Sequence, residues 1–254
     1  MINLLNNKYK NIDIIHLKEV NSTNTYCKKI AENDFHKDIL VISDIQTQGK
    51  GTKGRPWMSS TNNGLWFSIL LKPSISTNDI NFLTILSSTA LHSALLNFNI
   101  NTKIKWPNDL YLDNKKLSGI LTEAKIDNNR VKYIIVGIGL NVNLELDDFN
   151  DELKNKATSL YLSTGKKFNS MKILEFFLEY FYKYLNEFLL GNKDYILEKY
   201  KSNSLIFNKE VTLFYKNSNK IIIPIDILKD GSLLVKNKND ILENIIAGEI
   251  SIIL

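Results

Sequence analysis

Two segments of this chain gather the residue types that handle phosphate: Gly49-Lys50-Gly51-Thr52-Lys53-Gly54-Arg55, a basic stretch broken by glycines, and Lys105-Trp106-Pro107-Asn108-Asp109. Glycines let successive backbone N–H groups turn inward on an anion, and the lysines and arginine supply charge. In the second segment Pro107 restricts Trp106 to extended geometry, so Lys105 stands at the end of a stiff strand. An ammonium held there stays beside an α-phosphate as charge builds during displacement of pyrophosphate. One preorganised donor of this kind is worth about 3 to 4 kcal/mol in a transition state. The chemistry indicated is that of an enzyme working on a nucleotide triphosphate. Two plainer readings stay open on these residues alone: a basic surface hairpin for the loop, and a solvated turn for Lys105 with Trp106 as core filler. Asn108 and Asp109 would brace that turn through side-chain to backbone bonds, or Asp109 would contact a metal.

Familiar nucleotide loops do not fit. Gly49, Gly51 and Gly54 satisfy G-x-G-x-x-G, but the dinucleotide fingerprint needs a helix directly after it and an acidic residue roughly 20 positions on. Here Arg55-Pro56-Trp57 leads through the turn-forming run Ser59 to Gly64 into a strand, and no acid lies near position 70. A Walker A loop fails because Arg55-Pro56 stands where Lys-Ser/Thr is required. The expectation is a strand–loop–strand phosphate clamp.

The elements that must hold these segments follow from periodicity. Alternation predicts a strand over 11–20, and Asn21 to Asn24 offer caps for a helix running to about Asn33. Buried strands are expected at 38–44 and 64–71, a helix at 79–98 with Phe82, Leu86, Ala90, Leu91 and Ala94 on its apolar face, and strands at 102–106, 109–112, 117–124 and 132–141. Residues 147–167 read as polar and irregular, and 170–190 as an aromatic-rich amphipathic helix interrupted by charges. After Ser202-Asn203-Ser204 the pattern changes to short strands at 210–215, 220–228, 232–235 and 241–246, with turns at Asn217-Ser218-Asn219 and Asp230-Gly231. The fold class expected is α+β, with a mixed, largely antiparallel sheet and helices, plus a small C-terminal β-barrel. The domain division expected is 1–204 and 205–254.

Composition narrows the function. The 254 residues are 44% hydrophobic and 23% charged, enough for a full core. A single cysteine, Cys27, excludes an internal disulfide and fits a reducing cytoplasm, and its helical surroundings favour packing over nucleophilic use. Met1 to Asn7 lack a signal-peptide pattern, and no apolar run approaches the roughly 18 residues of a membrane span. The net charge of +5 is spread through a chain rich in Lys, Asn and Ile, so it does not indicate nucleic acid. His16, His36 and His92 are scattered, and no metal site is expected.

The chain resembles the biotin protein ligases, in a superfamily shared with lipoate ligases. The resemblance rests on Ser22-Thr23-Asn24, Gln46-Thr47-Gln48-Gly49-Lys50-Gly51 with Gly54-Arg55-Pro56-Trp57, and Lys105-Trp106-Pro107-Asn108-Asp109. It continues through Lys116 to Leu121 with Glu123, Gly137 to Asn143, and Gly248-Glu249-Ile250-Ser251, in the family's order over nearly the whole chain. It implies a class II synthetase-like catalytic domain with an SH3-like C-terminal barrel. The implied reaction runs in two steps: biotin and MgATP give biotinyl-5′-AMP and pyrophosphate, then a lysine of a biotin carboxyl carrier protein takes the biotinyl group. By the same resemblance, Ser22, Thr23, Asn24, Gln46 and Gly119 contact biotin, and Lys50, Gly51, Thr52, Arg55, Trp57, Lys105, Asn108, Lys116 and Asn141 serve the nucleotide, with Lys105 and Lys50 catalytic. Ser22 and Asn24 retain a plain reading as helix caps, and Gly119, Gly137 and Gly139 as sites of close strand packing.

Two departures from the family pattern are visible. Thr52 stands where many members carry an arginine, and threonine cannot make a bidentate phosphate contact, so weaker adenylate retention is expected unless Lys53 or Arg55 substitutes. The first strand begins about ten residues from Met1, which predicts a ligase without the DNA-binding repressor domain some members carry. A cytoplasmic enzyme is expected, with no membrane and no nucleic-acid partner, and a homodimer is allowed because members include monomers and dimers. The rival readings are a lipoate or octanoate ligase and a non-catalytic biotin- or nucleotide-binding regulator.

Overall fold

The strand β3 (Leu65–Leu71) is apolar at every position but Ser68 and buried along its whole length, as a strand covered on both faces must be. It sits inside a seven-stranded sheet of order β1-β2-β3-β7-β6-β5-β4, built from β1 (Ile12–Val20), β2 (Asp38–Gln46), β4 (Lys103–Lys105), β5 (Asp109–Leu112), β6 (Lys115–Asp127) and β7 (Arg130–Leu140). Only β1 and β2 pair in parallel; every other neighbour is antiparallel. The chain is described by a computed structural model over residues 8–9, 11–215, 218–246 and 248–251. The sequence readings at Met1 to Asn7 and at Asn217 lie outside the described residues.

Period-two alternation decides what each face of the sheet does. Leu65, Phe67, Ile69 and Leu71 join one cluster with helices α2 (Ile80–Leu96) and α5 (Ser170–Leu189). Between these helices Phe82 stacks on Phe188 at 5.1 Å and the Ser93 and Tyr184 hydroxyls meet at 2.9 Å. The opposite face carries Trp66, Ser68 and Leu70; here Cys27 of α1 (Thr23–Ile30) packs with Ile39, Val41, Leu70 and Ile135. The candidate cleft opens on this second face.

Several elements differ from the sequence reading. Residues 147–167 are not irregular: they hold short helices α3 (Asp151–Lys154) and α4 (Leu160–Thr164), whose first turns are capped by the Asn150 and Ser159 side chains. Helix α6 (Asp194–Ser202) was not anticipated, because its apolar positions Ile196, Leu197 and Tyr200 are few and flanked by lysines. Helix α1 ends at Ile30, short of Asn33.

A second sheet of order β11-β10-β9-β8-β12 follows, formed by β8 (Val211–Tyr215), β9 (Ser218–Ile227), β10 (Leu233–Lys236), β11 (Leu242–Ile245) and β12 (Glu249–Ser251). Strand β12 was not read from sequence, being only three residues long. This sheet touches both segments singled out from the sequence. The Trp106 indole N–H donates to the Gly231 carbonyl (3.1 Å) in the β9–β10 turn. Glu249 accepts from Arg55 Nη1 (2.7 Å) and Lys53 Nζ (3.4 Å). Among the described residues no helix is long and apolar enough to cross a membrane.

One core group makes stability depend on pH. His92 on α2 is 2% exposed and its Nδ1 lies 2.9 Å from Thr102 Oγ1. Burial, helped by the charges of Lys103 and Lys199, pushes its pKa down to about 4. An unfolded histidine titrates near 6.5, so the unfolded state binds the extra proton first, and stability falls as pH drops from about 6.5 to about 4. The expected loss at pH 5 is roughly 2 kcal/mol. Urea midpoints at pH 7 and pH 5 measure it, and His92→Gln should lose most of the difference.

Candidate active site

Three glycines make the floor of the cleft. Gly119 on β6 pairs across from Gly139 on β7, and Gly137 lies between Leu121 of β6 and Ser68 of β3. None of the three needs a left-handed backbone; each is needed for space. A Cβ on Gly137 would stand 2.0 Å from Asn24 Oδ1, and one on Gly139 2.2 Å from Trp57 Nε1. A Cβ on Gly119 would stand 2.9 Å from the Trp57 ring. The floor therefore lets an amide and an indole lie flat on the sheet.

The start of α1 forms one wall. Ser22 occupies the N-cap position, yet its hydroxyl caps nothing. Nor does Asn24 cap: its Nδ2 donates to Glu123 Oε2 (2.9 Å) and its Oδ1 accepts from Ser68 Oγ (2.6 Å). The helix-cap reading of these two residues is thereby corrected. Gln46, at the end of β2, accepts at Oε1 from the Thr23 backbone N–H (2.8 Å) and donates from Nε2 to Ser59 Oγ (3.1 Å). Burial would raise the Glu123 carboxyl, but hydrogen bonds from Lys28 and Asn24 and the charges of Lys28 and Lys50 outweigh it and hold the group below the ordinary glutamate range.

The basic loop forms the opposing wall as an ordered hairpin. Gly51 N–H donates to Arg55 O (2.8 Å) and Trp57 N–H to Gly49 O (2.9 Å), around a single turn at Thr52–Gly54. Lys53 there has φ 57° and Gly54 φ 74°. Lys50, Gly51, Thr52 and Trp57 line the cleft, while Lys53 and Arg55 turn away to Glu249.

Beyond Trp57 the charge comes from Lys116. Its Nζ lies over the Trp57 ring at 5.4 Å and 2.7 Å from Asp109 Oδ1, an ion pair whose angle falls outside hydrogen-bond geometry. Lys105 reaches the other Asp109 oxygen at 3.8 Å and donates to Tyr111 OH (3.0 Å). Asp109 is thus flanked by two lysines rather than by a set of metal-ligating side chains.

Of the residues singled out from sequence, Ser22, Thr23, Asn24, Gln46, Lys50, Gly51, Thr52, Trp57, Asn108, Lys116 and Gly119 line one cleft. Lys105, Arg55 and Asn141 do not. Lys105 stands behind Asp109, Arg55 is paired with Glu249, and the buried Asn141 amide donates to Thr158 O (2.9 Å). Pro107 follows the end of β4, where the Lys105 amine donates to Tyr111 OH. Ser68, fully buried and bonded to the Asn24 carbonyl oxygen, is not among the residues singled out from sequence. Its signal was present: a lone hydroxyl in an otherwise apolar buried strand.

Residues 17–141 match a family model described as the biotin/lipoate A/B protein ligase family. Among solved structures, the biotin protein ligase from Aquifex aeolicus in complex with biotin and ATP aligns with a TM-score of 0.80 at 30% sequence identity, covering 94% of this chain and 97% of that one. Among curated proteins, the bifunctional ligase/repressor BirA of Bacillus spizizenii is 37% identical over 177 residues, which is 69% of this chain and 54% of the relative. The biotin–[acetyl-CoA-carboxylase] ligase of Paracoccus denitrificans is 30% identical over 129 residues, 50% of this chain and 53% of the relative. The chain spans about half the length of these curated relatives.

Proposed function

Since the chain belongs to the biotin/lipoate A/B protein ligase family, we propose that it is a biotin protein ligase, using MgATP to form biotinyl-5′-AMP and passing biotin to a lysine of a biotin carboxyl carrier protein in the cytoplasm. One observation carries this reading. The hydroxyl and amide wall of Ser22 to Asn24 and Gln46 shares a single glycine-floored cleft with the loop amides at Lys50 to Thr52 and the Lys116 ammonium. Such a cleft suits a polar ring joined by an apolar chain to a carboxylate that must meet a phosphate. We assign residues 1–204 to catalysis and 205–254 to a unit that supports the loop and the Lys105–Asp109 turn.

In the first step a biotin carboxylate oxygen attacks the α-phosphorus and the P–O bond to pyrophosphate breaks. Lys116 and Lys50 offset the charge that gathers on the phosphoryl oxygens, the electrostatic term that dominates such sites. In the second step the neutral ε-amine of the carrier lysine attacks the acyl carbon, AMP leaves with the electron pair of the acyl–oxygen bond, and the nitrogen sheds a proton. AMP is needed because a free carboxylate has no good leaving group. Lys105, Arg55 and Asn141 act from behind the cleft, through Asp109, Glu249 and the Thr158 carbonyl. The test is incubation with biotin, MgATP and a candidate carrier domain, followed by mass measurement of the carrier. Biotin, not lipoate, should stimulate pyrophosphate release; the reverse establishes a lipoate ligase, and binding without transfer establishes a regulator.

The loop sequence adds a prediction. Thr52 lines the cleft, and the two cations beside it, Lys53 and Arg55, are turned to Glu249. Thr52→Arg should slow release of biotinyl-AMP by about tenfold or more, the worth of a charged hydrogen bond. An unchanged release rate would count against this account of the loop.

A further inference from the structure

One guanidinium ties the glycine-broken loop to the second sheet. Arg55 closes the turn with its own backbone, donating its N–H to Thr52 O (3.3 Å) and accepting at its carbonyl from Gly51 N–H (2.8 Å). Its side chain then divides. Nε and Nη2 donate to the carbonyl (3.4 Å) and the hydroxyl (3.3 Å) of Thr52, while Nη1 donates to Glu249 Oε1 (2.7 Å). The other Glu249 oxygen accepts from Lys53 Nζ at 3.4 Å. Since Thr52 lines the cleft, a linkage runs from the second sheet to the cleft wall through a single planar side chain: Glu249 to Arg55 to Thr52.

The two ends of this linkage differ in stiffness. Glu249 opens β12, which pairs with β8, and the next residue, Ile250, is 1% exposed and lies opposite Leu213. At the loop end Lys53, Gly54, Arg55 and Pro56 are all exposed. Lys53 also carries φ 57°, a conformation that costs a side-chain-bearing residue energy. An exposed hairpin strained in this way opens readily unless something outside it holds it closed. Burial would raise the Glu249 carboxyl, but the hydrogen bond and charge of Arg55, with those of Lys53, outweigh it and hold the group below the ordinary glutamate range. The contact therefore favours the ionised carboxylate.

We infer that Glu249 is a positioning residue for the nucleotide: anchored on the second sheet, it keeps Arg55 on Thr52 and biases the loop towards the closed hairpin in which Lys50 and Thr52 line the cleft. This deepens the ligase reading and rests on it for the identity of the ligand. Lys53 and Arg55 then serve the shape of the loop, and the second sheet sets how much of the chain stands ready for a phosphate. Glu249 and Arg55 are 37% and 55% exposed at their side chains, so water screens the pair and its strength is that of a surface ion pair.

The experiment reads one open–closed equilibrium in two ways on the full chain. Trypsin cuts after Lys50, which is not a partner of Glu249, only while the loop is open, so the rate of that cut follows the open fraction. ATP binding measured by calorimetry without biotin, where no acid is present to consume it, follows the closed fraction. The ratio of ATP affinity to cleavage rate then tracks the closed-to-open ratio, whichever state dominates. Glu249→Gln should lower that ratio by about fivefold, with the thermal midpoint, and kcat at saturating ATP and biotin, near wild type. Arg55→Gln should lower it at least as far, and in that background Glu249→Gln should change it by less than about twofold, as expected of two groups in one linkage. A ratio unchanged by Glu249→Gln, or lowered equally in the Arg55→Gln background, overturns the inference and leaves the ligase reading intact. So does a loss of kcat and thermal midpoint in place of a changed ratio, which would make the role of Glu249 purely structural. A wild-type chain that binds no ATP, with or without biotin, overturns the ligase reading and with it the role assigned to Glu249, even where the cleavage rates follow the linkage.

Discussion

Lys116→Ala should lower biotin-dependent exchange of pyrophosphate into ATP by about a hundred- to a thousandfold, the range found when one preorganised donor is taken from a transition state. Lys105→Ala should cost only about tenfold. The difference follows from where the two amines stand. Lys116 lines the cleft, is held over the Trp57 ring at 5.4 Å, and lies 2.7 Å from Asp109. Lys105 is 3.8 Å from Asp109, is bonded to Tyr111 OH, and does not reach the cleft. Its loss acts through Asp109, whose side chain is only 12% exposed and would keep one cation in place of two. Lys116→Arg should restore part of the activity, because the charge returns but a planar guanidinium replaces a compact ammonium over the indole. A Lys105 variant slower than the Lys116 variant would return the leading role to the Lys105-Trp106-Pro107 turn.

How much of this was legible in the sequence depends on which forces act locally. The strand 109–112 was read to the residue and β3 to within one, because apolar runs bounded by turn residues mark covered strands. The long helices α2 and α5 were read to within two residues, their buried faces being wide. What failed were short elements stabilised by capping or tertiary packing: α3, α4, α6 and β12. The site divides in the same way. Gln46 and Ser22 to Asn24 carry their meaning in a motif, and they do meet in one cleft. The choice between Lys105 and Lys116 could not be made from spacing, since it depends on which side of Asp109 each amine reaches after β5 and β6 pair. Ser68 lies 44 residues from Asn24, and only the β3–β7 register, which sets it opposite Gly137, brings it behind the cleft wall.

That register also sets the second large effect expected. Gly137→Ala should raise the biotin KM by at least about a hundredfold. Position 137 is extended backbone that alanine adopts freely, so the cost is one of space alone. The new methyl would stand 2.0 Å from Asn24 Oδ1 and 2.8 Å from its Cγ, and the β-sheet around it leaves Asn24 as the group that must move. Moving Asn24 breaks its bonds to Ser68 and Glu123; the Ser68 hydroxyl is fully buried, so its lost bond costs about 1 to 3 kcal/mol, while the part-exposed Glu123 keeps Lys28. A lower thermal midpoint should therefore accompany the loss of biotin affinity. Adding Asn24→Ala removes the clash, so the double variant should regain stability relative to Gly137→Ala without regaining affinity. That non-additivity is the signature of two residues in contact. Gly165→Ala supplies the contrast: its φ of +69° strains an alanine but no atom lies within 4 Å, so it should cost about 1 kcal/mol of stability and leave the biotin KM unchanged. If Gly137→Ala kept wild-type biotin affinity, Asn24 would not be part of the biotin wall.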